Sequence, residues 1–170
     1  FDVEELGTHG GSLRVYACRK EATHVTGSRV GAVFAAEEAA GLTRLSGYAG
    51  FAGRVIDIKL RALDFLIRAR REGKTVLGYA AAAKGNTFLN YCGIGPELVA
   101  AVADRSPHKQ GTLLPGSRIP VVSVEELLAR RPDYVLILAW NLKDEITASL
   151  AEIRDWGGRF VVAVPELTVL

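Results

Sequence analysis

The sequence contains no methionine, only two cysteines (Cys18 and Cys92), and no apolar run near the roughly 18 residues of a membrane-spanning helix. Neither cysteine has close Cys or His company, so no zinc site of the usual spacing can be read. The pair reads as unpaired thiols of a reducing, cytoplasmic compartment. An excess of one charge is lacking too. With 21 basic and 19 acidic residues the net charge is +2, which gives no electrostatic case for a nucleic-acid or membrane partner. No signal-peptide pattern opens the chain. The lack of methionine, with Phe1 opening inside a strand pattern, reads as an excerpt cut on its N-terminal side from a longer protein.

What is present is a globular composition, 49% hydrophobic and 24% charged, in a chain long enough for one well-buried domain and a small appendage. Residues 1–20 read as two strands around Thr8-His9-Gly10-Gly11, with Leu13, Val15 and Ala17 alternating against Arg14, Tyr16 and Cys18. An isolated hairpin is marginal in water, so these strands are expected to belong to a larger sheet. Residues 21–72 read as a linker with two helices. One runs from Arg29 to Ala40 and is closed by Gly41. The other runs from Phe51 to Glu72, with Val55, Ile58, Ala62, Phe65 and Ala69 on one face.

From Gly73 the pattern alternates strand and helix: "TVLGYAA", "NTFLNYCGI", "ELVAAVAD", "IPVVS", "DYVLILA", "LKDEITASLAEIRDW" and "RFVVAVP". Ser123 and Glu126 form a capping box before the helix that Pro132 stops. Nearly continuous apolar strands alternating with helices predict a parallel sheet covered on both faces. The expectation is therefore an α/β, Rossmann-like doubly wound domain over residues 73–170. About five strands are expected, in the order 3-2-1-4-5.

Ligands of such sheets bind beyond the carboxyl ends of the strands, near the switch in strand order. Lys84-Gly85-Asn86-Thr87 falls at the first strand-to-helix junction, where free N–H groups and a lysine suit an anion. The alternative is a solvated lysine near a helix start. No G-x-G-x-x-G or Walker A pattern occurs here, and position 80 is alanine where a dinucleotide loop uses glycine, which disfavours classical NAD binding. Asp104 ends the second strand, where an acidic residue accepts a ribose hydroxyl in nucleotide-binding sheets; its alternative is a turn aspartate. Lys109 and Gln110 follow in a long loop, and Asn141 opens the loop after the fourth strand. His9 is the candidate catalytic residue, against a structural role in its turn.

The segments "THGGSLRVY", "AKGNTFLNYCGI", "DRSPHKQGTLLPGSRIPV", "DYVLILAWNLKDEI" and "WGGRFVVAVPE" resemble the C-terminal part of S-adenosylmethionine-dependent nucleotide-sugar (deoxysugar) C-methyltransferases. The resemblance spans the chain. It implies an upstream methyltransferase domain whose last strands are residues 1–20, and a zinc-binding N-terminal module further upstream. No cofactor is expected in residues 1–170 themselves. In the reaction it implies, a base removes a proton next to a sugar keto group and the resulting enolate attacks the sulfonium methyl.

By the same resemblance, Lys84, Gly85, Asn86 and Thr87 would approach the diphosphate of a dTDP-linked sugar. Asp104, Lys109 and Gln110 would meet the nucleoside, and His9, Ser12 and Arg14 would face the sugar. The segment alone is expected to be inactive. The competing expectation is a stand-alone Rossmann-like nucleotide-binding module without catalysis. One departure is visible, because Ala80-Ala81 follows Tyr79 where relatives commonly have Gly-Ala.

Overall fold

A computed structural model describes residues 1–170, apart from the side chain of His9. The chain divides into two compact units, Phe1–Arg54 and Val55–Leu170.

In the first unit, β1 (Asp2–Leu6) and β2 (Ser12–Tyr16) form an antiparallel pair with Glu4 opposite Arg14. The Glu4 carboxylate accepts from the Arg14 guanidinium and the Tyr16 hydroxyl, each at 3.0 Å. Both contacts are exposed, where such pairs are worth little. Helix α1 (Ser28–Ala39) ends where Gly41, at φ 74°, turns its N–H back to the Glu38 carbonyl at 2.9 Å. Among the described residues, Val3 is the only apolar side chain this unit buries, while Val15 stays 71% and Leu45 92% exposed. The hairpin forms a two-stranded sheet of its own.

The second unit holds a six-stranded sheet. Its elements are β3 (Val76–Tyr79), α3 (Ala83–Cys92), β4 (Val102–Ala103), β5 (Val121–Val122), α4 (Val124–Arg130), β6 (Tyr134–Ile137), α5 (Lys143–Ser149), β7 (Arg159–Val162) and β8 (Thr168–Val169). The order is β5-β4-β3-β6-β7-β8. Neighbours are parallel except β8, which runs antiparallel to β7. From β3 the chain builds outward on one side through β4 and β5, then on the other through β6 and β7, so the order switches between β3 and β6. The sixth strand lies outside the expected five, because two residues, Thr168 and Val169, are too short to show a period.

Strand residues feed two cores by alternation, as period-2 geometry requires. Val76, Val102, Leu136 and Val161 pack with Leu89 of α3 and with Ala62, Leu66 and Ala69 of α2 (Phe51–Arg71). On the other face Leu77, Ala103, Val135 and Phe160 pack with Leu127 of α4 and Ile146 of α5. Leu66 is 2% exposed, and burying such a side chain contributes about 1.5–3 kcal/mol. Helix α2 thus belongs with the sheet from Val55 onward, although its sequence position suggests a linker.

Local chemistry moves several boundaries. The expected helix 142–156 breaks at Leu150 (φ −119°, ψ 30°) and continues as a 3-10 segment, Ala151–Trp156. Helix α3 starts three residues before Asn86, at Ala83. The capping box is only half formed. Ser123 Oγ accepts the Glu126 N–H at 3.2 Å, but the Glu126 carboxylate pairs with Arg130 one turn on.

At the amino end of the sheet, Asp133 joins β3 to β6. It accepts from the Thr75 N–H at 2.8 Å, the Thr75 hydroxyl at 3.0 Å and the Lys74 ammonium at 2.9 Å. The Thr75 N–H and the Lys74 ammonium hold its carboxyl below the usual range. Its stabilising contribution is therefore complete above about pH 3.9 and is lost as pH falls through the depressed folded value.

Helix α3 sits unusually close to the chain just after β6. A Cβ added to the buried Gly85 would lie 2.5 Å from Leu138 Cβ, closer than carbon atoms approach. Gly85→Ala should therefore lower the unfolding free energy by about 1–3 kcal/mol in urea denaturation, the range for overpacking. Shortening Leu138 to alanine should not rescue it, because the clash is with Cβ itself. Rescue by that second change would place the conflict elsewhere.

Candidate functional site

The chain leaves β3 at Tyr79 and turns sharply. Ala80 takes φ 71°, and the Ala82 N–H returns to the Ala80 carbonyl at 2.8 Å before α3 begins at Ala83. The first bond within α3 runs from the Asn86 N–H to the Ala82 carbonyl at 2.9 Å. The N–H groups of Ala83, Lys84 and Gly85 precede that bond, and no side chain caps them. They are the unpaired donors at the positive end of the helix dipole.

Lys84-Gly85-Asn86-Thr87 is thus the first turn of α3 and not a loop. The Lys84 ammonium, part-buried, donates to Asn141 Oδ1 and stands 5.3 Å from the Trp140 ring centroid. These two contacts span the switch between β3 and β6, since Trp140 and Asn141 follow β6. Gly85 is needed for packing on Leu138. The Thr87 hydroxyl donates within its own helix, to the Ala83 carbonyl at 3.1 Å. Asn86 Oδ1 is buried without a partner, and its main-chain carbonyl accepts from Asn90 Nδ2 at 2.8 Å.

Asp104, 9% exposed, is the one buried charged residue among those described. Its Oδ2 accepts from the Ala81 N–H at 2.8 Å and the Lys109 ammonium at 3.1 Å, and its Oδ1 accepts from the Ser106 N–H at 2.9 Å. Burial raises the Asp104 pKa. The bonds from Ser106, Lys109 and Ala81 outweigh that effect and hold it below the usual carboxylate range. Lys109 also donates to the Ala81 carbonyl at 2.9 Å, and Gln110 Nε2 to the Asp104 carbonyl at 2.9 Å.

Beside this cluster is an open cleft of 170 Å³ lined by Tyr79, Ala80, Asp104, Arg105, Leu142, Glu145 and Ile146. Small-molecule pockets span roughly 300–1,000 Å³, so this cleft alone is smaller than a pocket that encloses a whole small molecule. Among the described residues no group of three or more His, Cys, Asp or Glu side chains could hold a metal ion. Among the described residues no helix is long and apolar enough to cross a membrane.

The second unit therefore brings together Lys84 with Asn141, and Asp104 with Lys109 and Gln110. Ser12 and Arg14 lie in the first unit, where Ser12 Oγ donates to the Thr8 carbonyl at 3.0 Å and Arg14 pairs with Glu4. The side chain of His9 lies outside what the structure describes. Sequence reasoning passed over Arg105 and Glu145, which line the cleft, and Asn90, which also donates to the Pro115 carbonyl at 2.9 Å. Arg105 directly follows Asp104 at a strand end, which was the available signal; nothing local marks Asn90.

Comparison with known proteins agrees across the chain. Residues 7–165 match a family model described as the C-methyltransferase C-terminal domain. The chain is also 37% identical over 169 residues to C-methyltransferase NovU of Streptomyces niveus, covering 99% of the chain and 40% of that relative. The chain thus spans about two-fifths of the length of the curated relative it matches.

An alanine at φ 71° carries left-handed strain of about 1–2 kcal/mol. Glycine relieves that strain but widens the unfolded ensemble, so Ala80→Gly should raise the unfolding free energy by up to about 1 kcal/mol or leave it unchanged. Urea denaturation reads this directly. A loss of roughly 0.5–1 kcal/mol, the ordinary cost of glycine in a regular element, would contradict the strain.

Proposed function

The chain belongs to the C-methyltransferase C-terminal domain family, and on that premise we propose that it is the sugar-nucleotide-binding part of an S-adenosylmethionine-dependent C-methyltransferase. Its substrate in this reading is a nucleotide-linked keto-deoxysugar, dTDP-linked, in the cytoplasm. The observation that carries the proposal is the Lys84–Asn141 contact at the uncapped start of α3. The lysine and the free N–H groups belong to the same first turn of α3, beside the switch in strand order. Such a placement supports the reading, because helix starts at the switch point of doubly wound sheets suit an anion.

In this reading the diphosphate lies against Lys84 and the N–H groups of Ala83, Lys84 and Gly85, and Asn141 and Trp140 hold the ammonium in place. The nucleoside extends along the cleft past Arg105, Leu142 and Glu145. Residues 1–20 serve as the terminal strands of the whole enzyme's methyltransferase domain, and the segment from residue 21 to the start of α2 connects it to the sheet unit. Exposed Leu13 and Val15 on the hairpin support that assignment. Family membership implies S-adenosylmethionine as the whole enzyme's methyl donor. The residues present do not fit it, because the β3–α3 turn lacks a glycine-rich loop. Methyl transfer and any zinc module are accordingly assigned to the remainder of the enzyme, and the chain alone should show no turnover.

Calorimetric titration with dTDP, with NAD and S-adenosylmethionine as controls, tests the reading. The chain should bind dTDP alone, and Lys84→Ala should raise Kd about tenfold, the equivalent of one charge-assisted contact. Equal affinity in the variant would remove Lys84 from the site.

A further inference from the structure

Asp104 occupies the strand-end position at which an acidic residue reads a ribose hydroxyl, yet its contacts are of another kind. Both acceptor directions of Oδ2 are filled, by the Ala81 N–H and by Lys109. The Lys109 ammonium reaches past the carboxylate to the Ala81 carbonyl at 2.9 Å. One ion pair therefore holds both the N–H and the C=O of a single residue. That residue lies between the positive-φ Ala80 and Ala82, the cap position of α3. A third bond, from the Ser106 N–H, anchors the carboxylate to its own loop, and Gln110 donates to the Asp104 carbonyl.

We infer that Asp104 and Lys109 are positioning residues: their ion pair clamps the Ala81 peptide groups and so aims the free N–H groups at the start of α3 toward an anionic ligand. They do not read the nucleoside. The inference rests on the sugar-nucleotide reading for the ligand's identity and on the geometry alone for the clamp. Two peptide planes, Ala80–Ala81 and Ala81–Ala82, are fixed by the clamp and by the bond from Ala82 to Ala80. The next N–H along the chain is that of Ala83, the first of the uncapped donors. Releasing Ala81 lets the strained Ala80 relax and tilts those donors. The ligand chemistry that feels the clamp is the diphosphate group itself, whatever sugar or base it carries.

Two ligands separate the roles: inorganic pyrophosphate, which has no ribose, and dTDP, which does. Calorimetry on wild type, Asp104→Asn and Lys109→Met should show Kd rising by the same factor for both ligands, about tenfold in each variant, as for a lost charge-assisted bond. Lys109→Arg should restore part of the loss. Amide hydrogen exchange at Ala81 should be slow in wild type and faster by about tenfold or more in both variants, the consequence of an opened bond. Weakening of dTDP alone would assign Asp104 to the ribose and overturn the inference. Unchanged affinities with a lowered Tm would leave the pair a structural tie only, and overturn it too.

If wild type binds neither ligand, the sugar-nucleotide reading fails while the clamp is still decided by exchange at Ala81. Faster exchange in the variants upholds it and unchanged exchange refutes it. Lys109 is half exposed, so its variant keeps the test open should Asp104→Asn not fold.

Discussion

A carboxylate that is nearly out of water at the end of an apolar strand is the constraint on which the carboxyl end of this sheet depends. Leaving a buried charge unpaired costs several kcal/mol, so Asp104 requires donors, and it takes them from both loops beside it. One is the backbone of the β3–α3 turn, and the others are Ser106 and Lys109 of its own loop. The requirement is reciprocal. Ala81, between a residue at positive φ and a helix cap, has no regular ladder to satisfy it, and the ion pair supplies both its partners. The turn and the loop are thereby fixed together.

What this fixing positions is decided by packing. Gly85 lets α3 come down onto Leu138, which brings the start of the helix against the segment that carries Trp140 and Asn141. Lys84 can then reach Asn141 across the switch between β3 and β6. A side chain at position 85 would lift the helix and separate the lysine from its partners. The glycine therefore serves the site through helix packing, with no need for direct contact with a ligand.

The alternating apolar segments made the α/β class and the mainly parallel sheet legible, because strands buried on both faces leave continuous Val, Leu and Ile runs such as "YVLI". Short elements left little trace: β8 has two residues, and β4 only two of the eight in "ELVAAVAD". Helix α3 starts at Ala83 because the turn at Ala80 releases the chain directly into helical geometry, and alanine repeats hide that boundary. At the candidate site, the places of Lys84, Asn141 and Asp104 beside strand ends are legible in the sequence. The partners of Asp104 were not, since a bond to the Ala81 backbone, 23 positions away, leaves no local pattern. Asn90, joined to Pro115 over 25 positions, escaped for the same reason.

The proposal that the start of α3 is an anion site held ready by these contacts is open to test. Amide NMR of the 170-residue chain titrated with inorganic pyrophosphate tests it most directly. Saturable shifts should concentrate at the Ala83, Lys84 and Gly85 amides and the Asn141 side chain. Shifts that avoid this turn, for example at the exposed Arg118 loop alone, would contradict it.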